Sequence, residues 1–374
     1  MKIAKVSTWA LKCPVHIQLA GLDREVRMGL CLVQVETDTG VIGAGMTAIT
    51  NEQVAAHAVE KVAGPAIIGD DPMNNERIWD KLYWLFSPRG QTGIGCHAIA
   101  AIDLAIWDIK GKTLGEPVWR LLGGARDNLP VYATFGFFEF DREQLAEAAK
   151  IWVSQGFKGL KMVVGHNALA RRDEPRPLDG VIAEDVKRIQ GVRDAIGPDI
   201  DLYIDGNCGL DQHHALKLAR QIEELDISFF EEPITQNDVR GMAWLRSQTS
   251  IPLACGQNEG LAFRFRDLLV GEAVDIVQPN AAIGGGYTQC ARIAGMAAAF
   301  NIGMDNGGAW AAVNMHLQGG LTNGGMVEYH YLANEVWDLI FGGVLQPEDS
   351  RLTLPTTPGL GLEPNMDVVR DLAI

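Results

Sequence analysis

Three short apolar segments with even spacing constrain the fold of this chain most. They cover residues 202–207, 227–233 and 252–258, and each ends in polar residues of a kind that can bind a metal. The polar positions 205, 231 and 257 are separated by 26 residues each, which is about the length of a strand, a helix and two short loops. An apolar run that breaks into Gly, Pro and polar residues is typical of a buried parallel strand. The spacing therefore predicts successive βα units.

Strand–helix alternation extends over most of the chain. Eight strand-like segments, separated by helical patterns, cover residues 131–136, 159–164, 202–206, 227–231, 253–256, 276–279, 302–305 and 326–329. Eight parallel strands that alternate with helices favour an α/β fold of the (β/α)₈ (TIM-type) barrel class. Residues 1–125 show a β-hairpin pattern followed by long helices, which predicts an α+β capping domain. We expect the barrel at 126–340 and a tail at 341–374 that returns to the capping domain.

Composition and charge exclude several classes of protein. The chain is 47% hydrophobic and 21% charged, as in ordinary globular proteins. The net charge of −15 argues against a nucleic acid or an anionic membrane as partner. The six cysteines form no Cys-x-x-Cys motif and indicate free thiols in a reducing compartment. Without a signal-peptide pattern or an apolar run long enough to span a membrane, we expect a cytoplasmic protein.

Polar residues at the predicted strand ends indicate a metal site. In a barrel, the C-terminal ends of the strands meet at one mouth, so Asp205, Glu231 and Gln257 are expected to meet as three oxygen ligands suited to Mg²⁺. The same mouth would hold further polar residues, namely Lys161, Asn207, Glu232, Asn258, Asn280, Asp305, Asn306, Glu328 and His330. Any single strand end can be polar simply because a loop begins there. The joint pattern is what indicates a functional site.

Several segments resemble the mandelate racemase / muconate lactonising enzyme type of the enolase superfamily. They are residues 96–112, 121–124, 156–161, 204–207, 230–233, 273–279 and 357–361, and the resemblance covers nearly the whole chain. It implies a capping domain over the barrel mouth, with loops near 13–28 and 46–53 that contact the substrate, and it favours a symmetric homo-oligomer. It also implies removal of the proton α to a carboxylate, with Mg²⁺ stabilising the resulting enediolate.

The second barrel strand departs from the pattern of that family. The family carries Lys-x-Lys, in which the second lysine is the base, whereas this chain reads Lys161-Met-Val163. Lys161 remains available to bind the substrate carboxylate, or to act as the base if burial lowers its pKa. His166, three residues beyond Val163, is a substitute candidate for the base.

Two further departures concern charge at the site. Gln257 stands where the family has Glu, Asp or Asn, so it adds no negative charge, and Glu259 is a residue that could compensate. The Asp–His pair of racemases at the sixth and seventh strand ends is missing; Asn280 stands at the sixth, and Asp305 or Asn306 occupies about the position of the seventh.

The eighth strand retains the acid of the family. Glu328 matches that position and could donate a hydrogen bond to the substrate carboxylate if its pKa is raised. His330 could assist or could pack in the core. Asn207, Asn280 and His330 are the predicted substrate-binding residues.

The preferred hypothesis is a Mg²⁺-dependent dehydratase of a small carboxylate, an acid sugar or related hydroxy acid. Dehydration needs only one base, so it does not require a second base on the opposite face of the substrate, where the Asp–His pair of racemases is missing. A racemase, epimerase or cycloisomerase is the first alternative. Two others are a barrel that binds a metal–carboxylate ligand without turnover, and a metal-free enzyme that forms a Schiff base on Lys161.

Overall fold

The computed structural model describes residues 1–86, 93–165, 178–343 and 345–374. Its strands, in chain order, are β1 Ile3–Leu19, β2 Leu22–Thr37, β3 Ile42–Ala48, β4 Asn128–Gly136, β5 Gly159–Val163, β6 Asp201–Asp205, β7 Ile227–Glu231, β8 Leu253–Cys255, β9 Ile276–Val277, β10 Gly303–Met304, β11 Val327–His330 and β12 Arg351–Thr353. Its α-helices are α1 Glu52–Ala58, α2 Gly64–Ile67, α3 Asn75–Phe86, α4 Ile94–Leu114, α5 Val118–Leu122, α6 Arg142–Ser154, α7 Leu178–Ile196, α8 Gln212–Ile222, α9 Val239–Arg246, α10 Leu261–Val270, α11 Gly286–Ala299, α12 Ala311–Gly320, α13 Tyr331–Phe341 and α14 Met366–Leu372. Within these ranges, no helix is long and apolar enough to cross a membrane.

A long antiparallel hairpin begins the chain. The strands β1 and β2 pair along their whole length and β3 pairs with β2. Ala20 and Gly21 form the two-residue turn with φ values of 51° and 78°, the left-handed conformation that matches the twist of a hairpin. Residues 13–28, predicted to be a loop, are therefore two strand segments joined by this turn. Alternate residues Cys13, Val15 and Ile17 are buried, and this pattern of period two stabilises the hairpin against the barrel.

Helix α4 packs closely on the antiparallel sheet and anchors the C-terminal tail. A Cβ atom at Gly43 or Gly45 would lie 2.1 Å from a carbonyl oxygen of α4, so only glycine permits this approach. Asp108 of α4 accepts hydrogen bonds from the backbone nitrogens of Ala44 (2.9 Å) and Leu360 (2.7 Å). The predicted division at residues 125 and 340 stays a prediction, but the tail does contact the N-terminal region.

Eight parallel strands, β4 to β11, form the barrel. They are neighbours in chain order, and β11 pairs with β4. A parallel bridge between Met304 and Gly324, and a 3.0 Å hydrogen bond from the Asn306 nitrogen to the Met326 oxygen, connect β10 to the segment that precedes β11. The predicted barrel with an α+β cap is confirmed.

The inward side chains of the barrel form two layers. Since alternate residues of a strand point to the same side, residues two apart occupy successive layers. The lower layer is apolar and contains Tyr132, Tyr203, Phe229, Ala254, Ile276 and Met326. Two residues further along the strands lie the inward positions of the upper layer, which are mostly polar and comprise Thr134, Lys161, Asp205, Glu231, Gly256, Gln278 and Glu328. This polar layer lies at the strand ends and forms the floor of the site.

Candidate active site

Lys161 lies between three carboxylates. Its Nζ atom is 2.6 Å from Glu231 Oε2, 3.1 Å from Glu328 Oε1 and 3.4 Å from Asp205 Oδ2. Burial by itself lowers the pKa of Lys161, but the charges of Glu231, Glu328 and Asp205 outweigh burial and raise this pKa above its ordinary value. Burial therefore does not produce, in this arrangement, the lowered pKa that a base at Lys161 would need. The role of Lys161 as the base stays a prediction.

The carboxylates of Asp205 and Glu231 carry more negative charge than Lys161 can balance. Burial raises the pKa of Glu231 well above its ordinary value, and the charge of Asp205 adds to this effect. Burial also raises the pKa of Asp205, against the opposing charge of Lys161. Glu231 Oε1 is buried and has no hydrogen-bond partner among the described residues. An excess of buried carboxylate with an unpaired oxygen fits a hard divalent cation.

Glu328 is a carboxylate that accepts hydrogen bonds. Its Oε1 accepts from Thr134 Oγ1 at 2.5 Å and its Oε2 accepts from the Ala309 nitrogen at 2.7 Å. Burial alone would raise the pKa of Glu328, but the charge of Lys161 and these hydrogen bonds lower it. The raised pKa that a protonated Glu328 would need is therefore not found here, and its donation of a hydrogen bond to the substrate stays a prediction.

Gln257 contacts two carboxylates through its amide. Its Nε2 donates to Asp205 Oδ2 at 3.1 Å and to Glu232 Oε2 at 3.3 Å. A half-turn of the terminal amide exchanges the nitrogen and the oxygen, and in that orientation Oε1 could bind a cation. Glu259, predicted to compensate for the missing charge, instead forms an ion pair with Arg264 at 2.8 Å. Besides Asp205, the carboxylate next to Gln257 is that of Glu232 and not that of Glu259.

Among the described residues, the candidate metal site does not consist of His, Cys, Asp and Glu side chains alone. Across residues 1–86, 93–165, 178–343 and 345–374, no three His, Cys, Asp or Glu side chains are placed to hold one metal ion. Asp205 and Glu231 both contact Lys161, and Gln257 supplies an amide in the third position. The candidate set is therefore two carboxylates and one amide, as the sequence indicates.

Three residues predicted at the mouth bind the backbone instead. Asn280 Nδ2 donates to the carbonyl oxygens of residues 307 and 308 at 2.8 and 3.0 Å. Asn306 Oδ1 accepts from the Glu328 nitrogen at 3.1 Å, and Asp305 Oδ1 accepts from the Met326 nitrogen at 2.7 Å. Burial raises the pKa of Asp305 to about 6. These side chains hold the loop that follows β10 and the start of β11. The catalytic roles of Asp305 and Asn306, and substrate binding by Asn280, stay predictions.

A cavity of about 220 Å³ lies above the polar floor. Its polar lining comes from Thr134, Asp205, Asn207, Gln257, Asn258, Glu328 and His330. Its apolar lining comes from Met28, Ile49, Phe137, Phe138, Val163, Ala309 and Trp310. Met28 and Ile49 belong to the two N-terminal segments that were predicted to contact the substrate. The antiparallel sheet and its connections thus cover one side of the barrel mouth.

His330 both lines the cavity and packs against an aromatic ring. Its Nδ1 accepts from the Ala333 nitrogen at 3.4 Å at the start of α13, so the neutral ring carries its proton on Nε2. Burial lowers the pKa of His330, which favours this neutral form. The ring centroid is 5.1 Å from that of Phe137. His166, the substitute candidate for the base, lies outside the described residues.

Sequence reasoning left three residues without a role. Thr134 is a single polar residue in the apolar run 131–138, and this was the signal for a functional position at the first strand end. Glu232 was recognised as polar but was not connected with Gln257. Gln278 is the inward residue of the sixth strand by parity, two positions after Ile276.

The fold and the site together define the class of this protein. It is a (β/α)₈ barrel with an α+β cap and with buried carboxylates at the mouth of the barrel. Within that class, the chain belongs to the mandelate racemase / muconate lactonizing enzyme family. Residues 2–123 match the family's N-terminal domain, and residues 144–368 match a domain described as enolase C-terminal domain-like.

Similar proteins with assigned names include a dehydratase and a cycloisomerase. The chain is 29% identical over 341 residues to arabinonate dehydratase of Saccharolobus solfataricus, which covers 89% of this chain and 88% of that protein. The crystal structure of 3,6-anhydro-D-galactonate cycloisomerase from Zobellia galactanivorans is 32% identical, covers all of both chains and has a TM-score of 0.87. A family member from a marine actinobacterium, solved in complex with magnesium, is 30% identical with a TM-score of 0.85 and covers 100% of this chain and 99% of its own.

Proposed function

We propose that this protein is a Mg²⁺-dependent dehydratase of a small acid sugar or related hydroxy acid. The observation that carries the proposal is the cluster of Asp205, Glu231 and Glu328 around Lys161, with one Glu231 oxygen unpaired, beneath a cavity of about 220 Å³. Similarity to arabinonate dehydratase and to a magnesium-bound family member supports it.

The residues of the floor fit a divalent cation. Asp205 and Glu231 would hold it with their carboxylates, and Gln257 would hold it with its amide oxygen. When bound, Mg²⁺ supplies the positive charge that stabilises the enediolate formed by loss of the α-proton. Hard cations of this kind prefer carboxylate and amide oxygens.

The remaining side chains bind and orient the substrate. Lys161 lies in the floor of the site within 3.4 Å of three carboxylates, and we assign it to binding the substrate carboxylate. Glu328, itself held by Thr134 and the Ala309 nitrogen, fixes the ammonium group from the opposite side. His330 lines the cavity, and its Nε2–H would donate to a substrate hydroxyl. His166 stays a substitute candidate for the base.

In the proposed reaction the α C–H bond breaks and its proton passes to the base. The β C–O bond then breaks, the hydroxyl leaves as water after it takes up one proton, and the enol becomes a 2-keto-3-deoxy acid. No oxidant or reductant is needed, because the reaction only redistributes electrons within the substrate.

A cycloisomerase is the second candidate. The apolar lining formed by Met28, Ile49, Phe137, Phe138 and Val163 favours a compact ring with few free hydroxyl groups, since open-chain hydroxyls facing this wall would lack partners. The full-length similarity to 3,6-anhydro-D-galactonate cycloisomerase supports this alternative.

Proton NMR in D₂O with MgCl₂ tests the proposal across aldonic acids, lactones, anhydro acid sugars and simple hydroxy acids. We expect exchange of the α-proton and a 2-keto-3-deoxy product from an open-chain acid, and loss of both in EDTA. Ring opening or formation without loss of water would favour the cycloisomerase. Silence across the library with intact Mg²⁺ binding would favour a barrel without turnover, and borohydride trapping on Lys161 would reveal a Schiff base.

Two variants test the metal assignment separately. We expect Asp205→Asn and Glu231→Gln to abolish Mg²⁺ binding in calorimetry while circular dichroism shows a folded barrel. Retained affinity in either variant would contradict the assignment of that residue. A cytoplasmic location and a homo-oligomer remain proposals, and light scattering of the purified chain measures the latter.

A further inference from the structure

Gln278 lies in the polar layer under the cavity, yet its amide has no hydrogen-bond partner. The residue is 0% exposed, and neither Nε2 nor Oε1 is paired with any described residue. Strand parity places the side chain inward: Ile276 packs in the lower layer with Tyr203 and Phe229, and Val277 packs in the main core outside it. Buried unpaired amides are rare in folded proteins and require an explanation.

A second unpaired atom, Glu231 Oε1, borders the same small space. A Cβ atom built on Gly307 would lie 2.7 Å from Glu231 Oε1 and 3.3 Å from Gln278 Cβ. Gly307 therefore leaves room between the two residues because it has no side chain. The other oxygen of Glu231, Oε2, is bound to Lys161 at 2.6 Å.

The other carboxylates of this layer are well paired. Asp205 accepts hydrogen bonds from the Asn207 nitrogen at 2.8 Å and from Gln257 at 3.1 Å. Glu328 accepts from Thr134 and from the Ala309 nitrogen. Among the described residues of this layer, the buried polar atoms without a hydrogen-bond partner thus belong to Glu231 and Gln278.

We propose that Gln278 is a positioning residue for cation binding, which acts through Glu231. With a divalent cation bound, its amide donates a hydrogen bond to the Glu231 carboxylate, directly or through one water, and fixes the orientation of that ligand. The inference rests on the proposed function and adds a residue beyond the three candidate ligands. Hydrogen-bond partners of metal ligands typically change metal affinity about 10- to 100-fold when they are removed.

Calorimetric titration of MgCl₂ into the EDTA-treated, dialysed full chain tests this role. We expect Gln278→Met and Gln278→Leu each to weaken Mg²⁺ binding about 10- to 100-fold. We also expect the Tm of the cation-free protein not to fall, because an unpaired amide is replaced by an apolar side chain of similar volume. If Gln278 supported only the fold, both substitutions would lower the Tm of the cation-free protein and leave the Kd for Mg²⁺ unchanged.

Gln318 offers a matched control. It is also a buried glutamine with an unpaired Nε2, but its Oε1 accepts from the Gly325 nitrogen at 2.9 Å. We expect Gln318→Met to lower the Tm through the lost hydrogen bond and to leave the Kd for Mg²⁺ within about twofold of the unaltered protein.

Two results would overturn the role of Gln278. One is a Kd for Mg²⁺ within about twofold of the unaltered protein in both Gln278 variants. The other is a fall in cation-free Tm as large as that of Gln318→Met, which would show that the amide supports the fold. Failure of the proposed function is seen separately, as absence of Mg²⁺ binding by the unaltered protein, and this overturns both proposals.

Discussion

Replacement of Lys161 by methionine should destabilise the cation-free protein strongly. Its Nζ lies 2.6, 3.1 and 3.4 Å from three carboxylate oxygens, and at an effective dielectric constant near 20 each pair is worth about 5 to 6 kcal/mol before desolvation is subtracted. The net cost of removing one partner from a buried ion pair is about 3 to 5 kcal/mol. For 374 residues with an unfolding entropy near 2.1 cal/mol/K each, the Tm should fall by about 4 to 6 °C.

The pH dependence of this effect has a definite sign. The folded-state pKa values of Asp205 and Glu231 are raised above the ordinary 3.8 and 4.5. Such acids favour the folded state below their unfolded pKa, and this contribution is lost as pH rises toward the folded pKa. In the Lys161→Met variant the pKa values of Asp205 and Glu231 should rise further, because the nearby positive charge is gone. Glu328 also loses the main charge that lowers its pKa. The Tm deficit of the variant should therefore grow from pH 5 to pH 8.

Thermal unfolding followed by circular dichroism at pH 5 and pH 8, with and without MgCl₂, measures both effects. Mg²⁺ should restore part of the lost Tm, because it binds the folded carboxylates and not the unfolded chain. Lys158→Met is the control: Lys158 pairs with Asp349 at 2.7 Å on the surface, where an ion pair contributes about 0 to 1 kcal/mol. A Tm deficit for Lys161→Met that matches the control, or that shrinks as pH rises, would refute this account of the site.

Three further predictions concern binding. Gln257→Glu should tighten Mg²⁺ binding in calorimetry, because it adds a charge beside Asp205; unchanged affinity would mean that Gln257 is not a ligand. Gly307→Ala should weaken Mg²⁺ binding and destabilise the fold by about 1 to 3 kcal/mol, because its Cβ would lie 2.7 Å from Glu231 Oε1; a neutral result would mean that this space can expand. Met28→Ala should raise KM for the substrate found by NMR and leave Mg²⁺ affinity unchanged, because Met28 lines the cavity wall and is not a candidate ligand; an unchanged KM would place the substrate elsewhere.

The sequence predicted the barrel well because the strand signal is local. The fourth predicted barrel strand, 227–231, has the bounds observed for β7 Ile227–Glu231. The sixth, predicted at 276–279, is observed at Ile276–Val277; Pro279 has no N–H with which to continue a ladder. The segment 13–28 was expected to be a loop because the family resemblance implies a substrate-contacting loop there. The alternation of Cys13, Val15 and Ile17 with polar residues is instead a strand pattern, which the structure follows.

The location of the site followed from strand order, but its electrostatics did not. Asp205 and Glu231 are paired neighbours in the sheet, as their equal spacing predicts. Whether Glu232 or Glu259 stands beside Gln257 depends on side-chain direction, and Arg264 decides it by binding Glu259. Asn280 was a reasonable mouth residue by position, yet its amide binds the backbone of the loop after β10.

The sequence by itself determined the architecture and the family and indicated a candidate set of oxygen ligands, because hydrophobic period, segment spacing and residue type are local properties. Only the tertiary structure decided the directions in which the pKa values of Lys161 and Glu328 shift, and revealed the unpaired amide of Gln278. A pKa depends on burial and on distances to charges far away in sequence, and Lys161 is 44 and 70 positions from two of its partners. Such distances exist only after the barrel has closed.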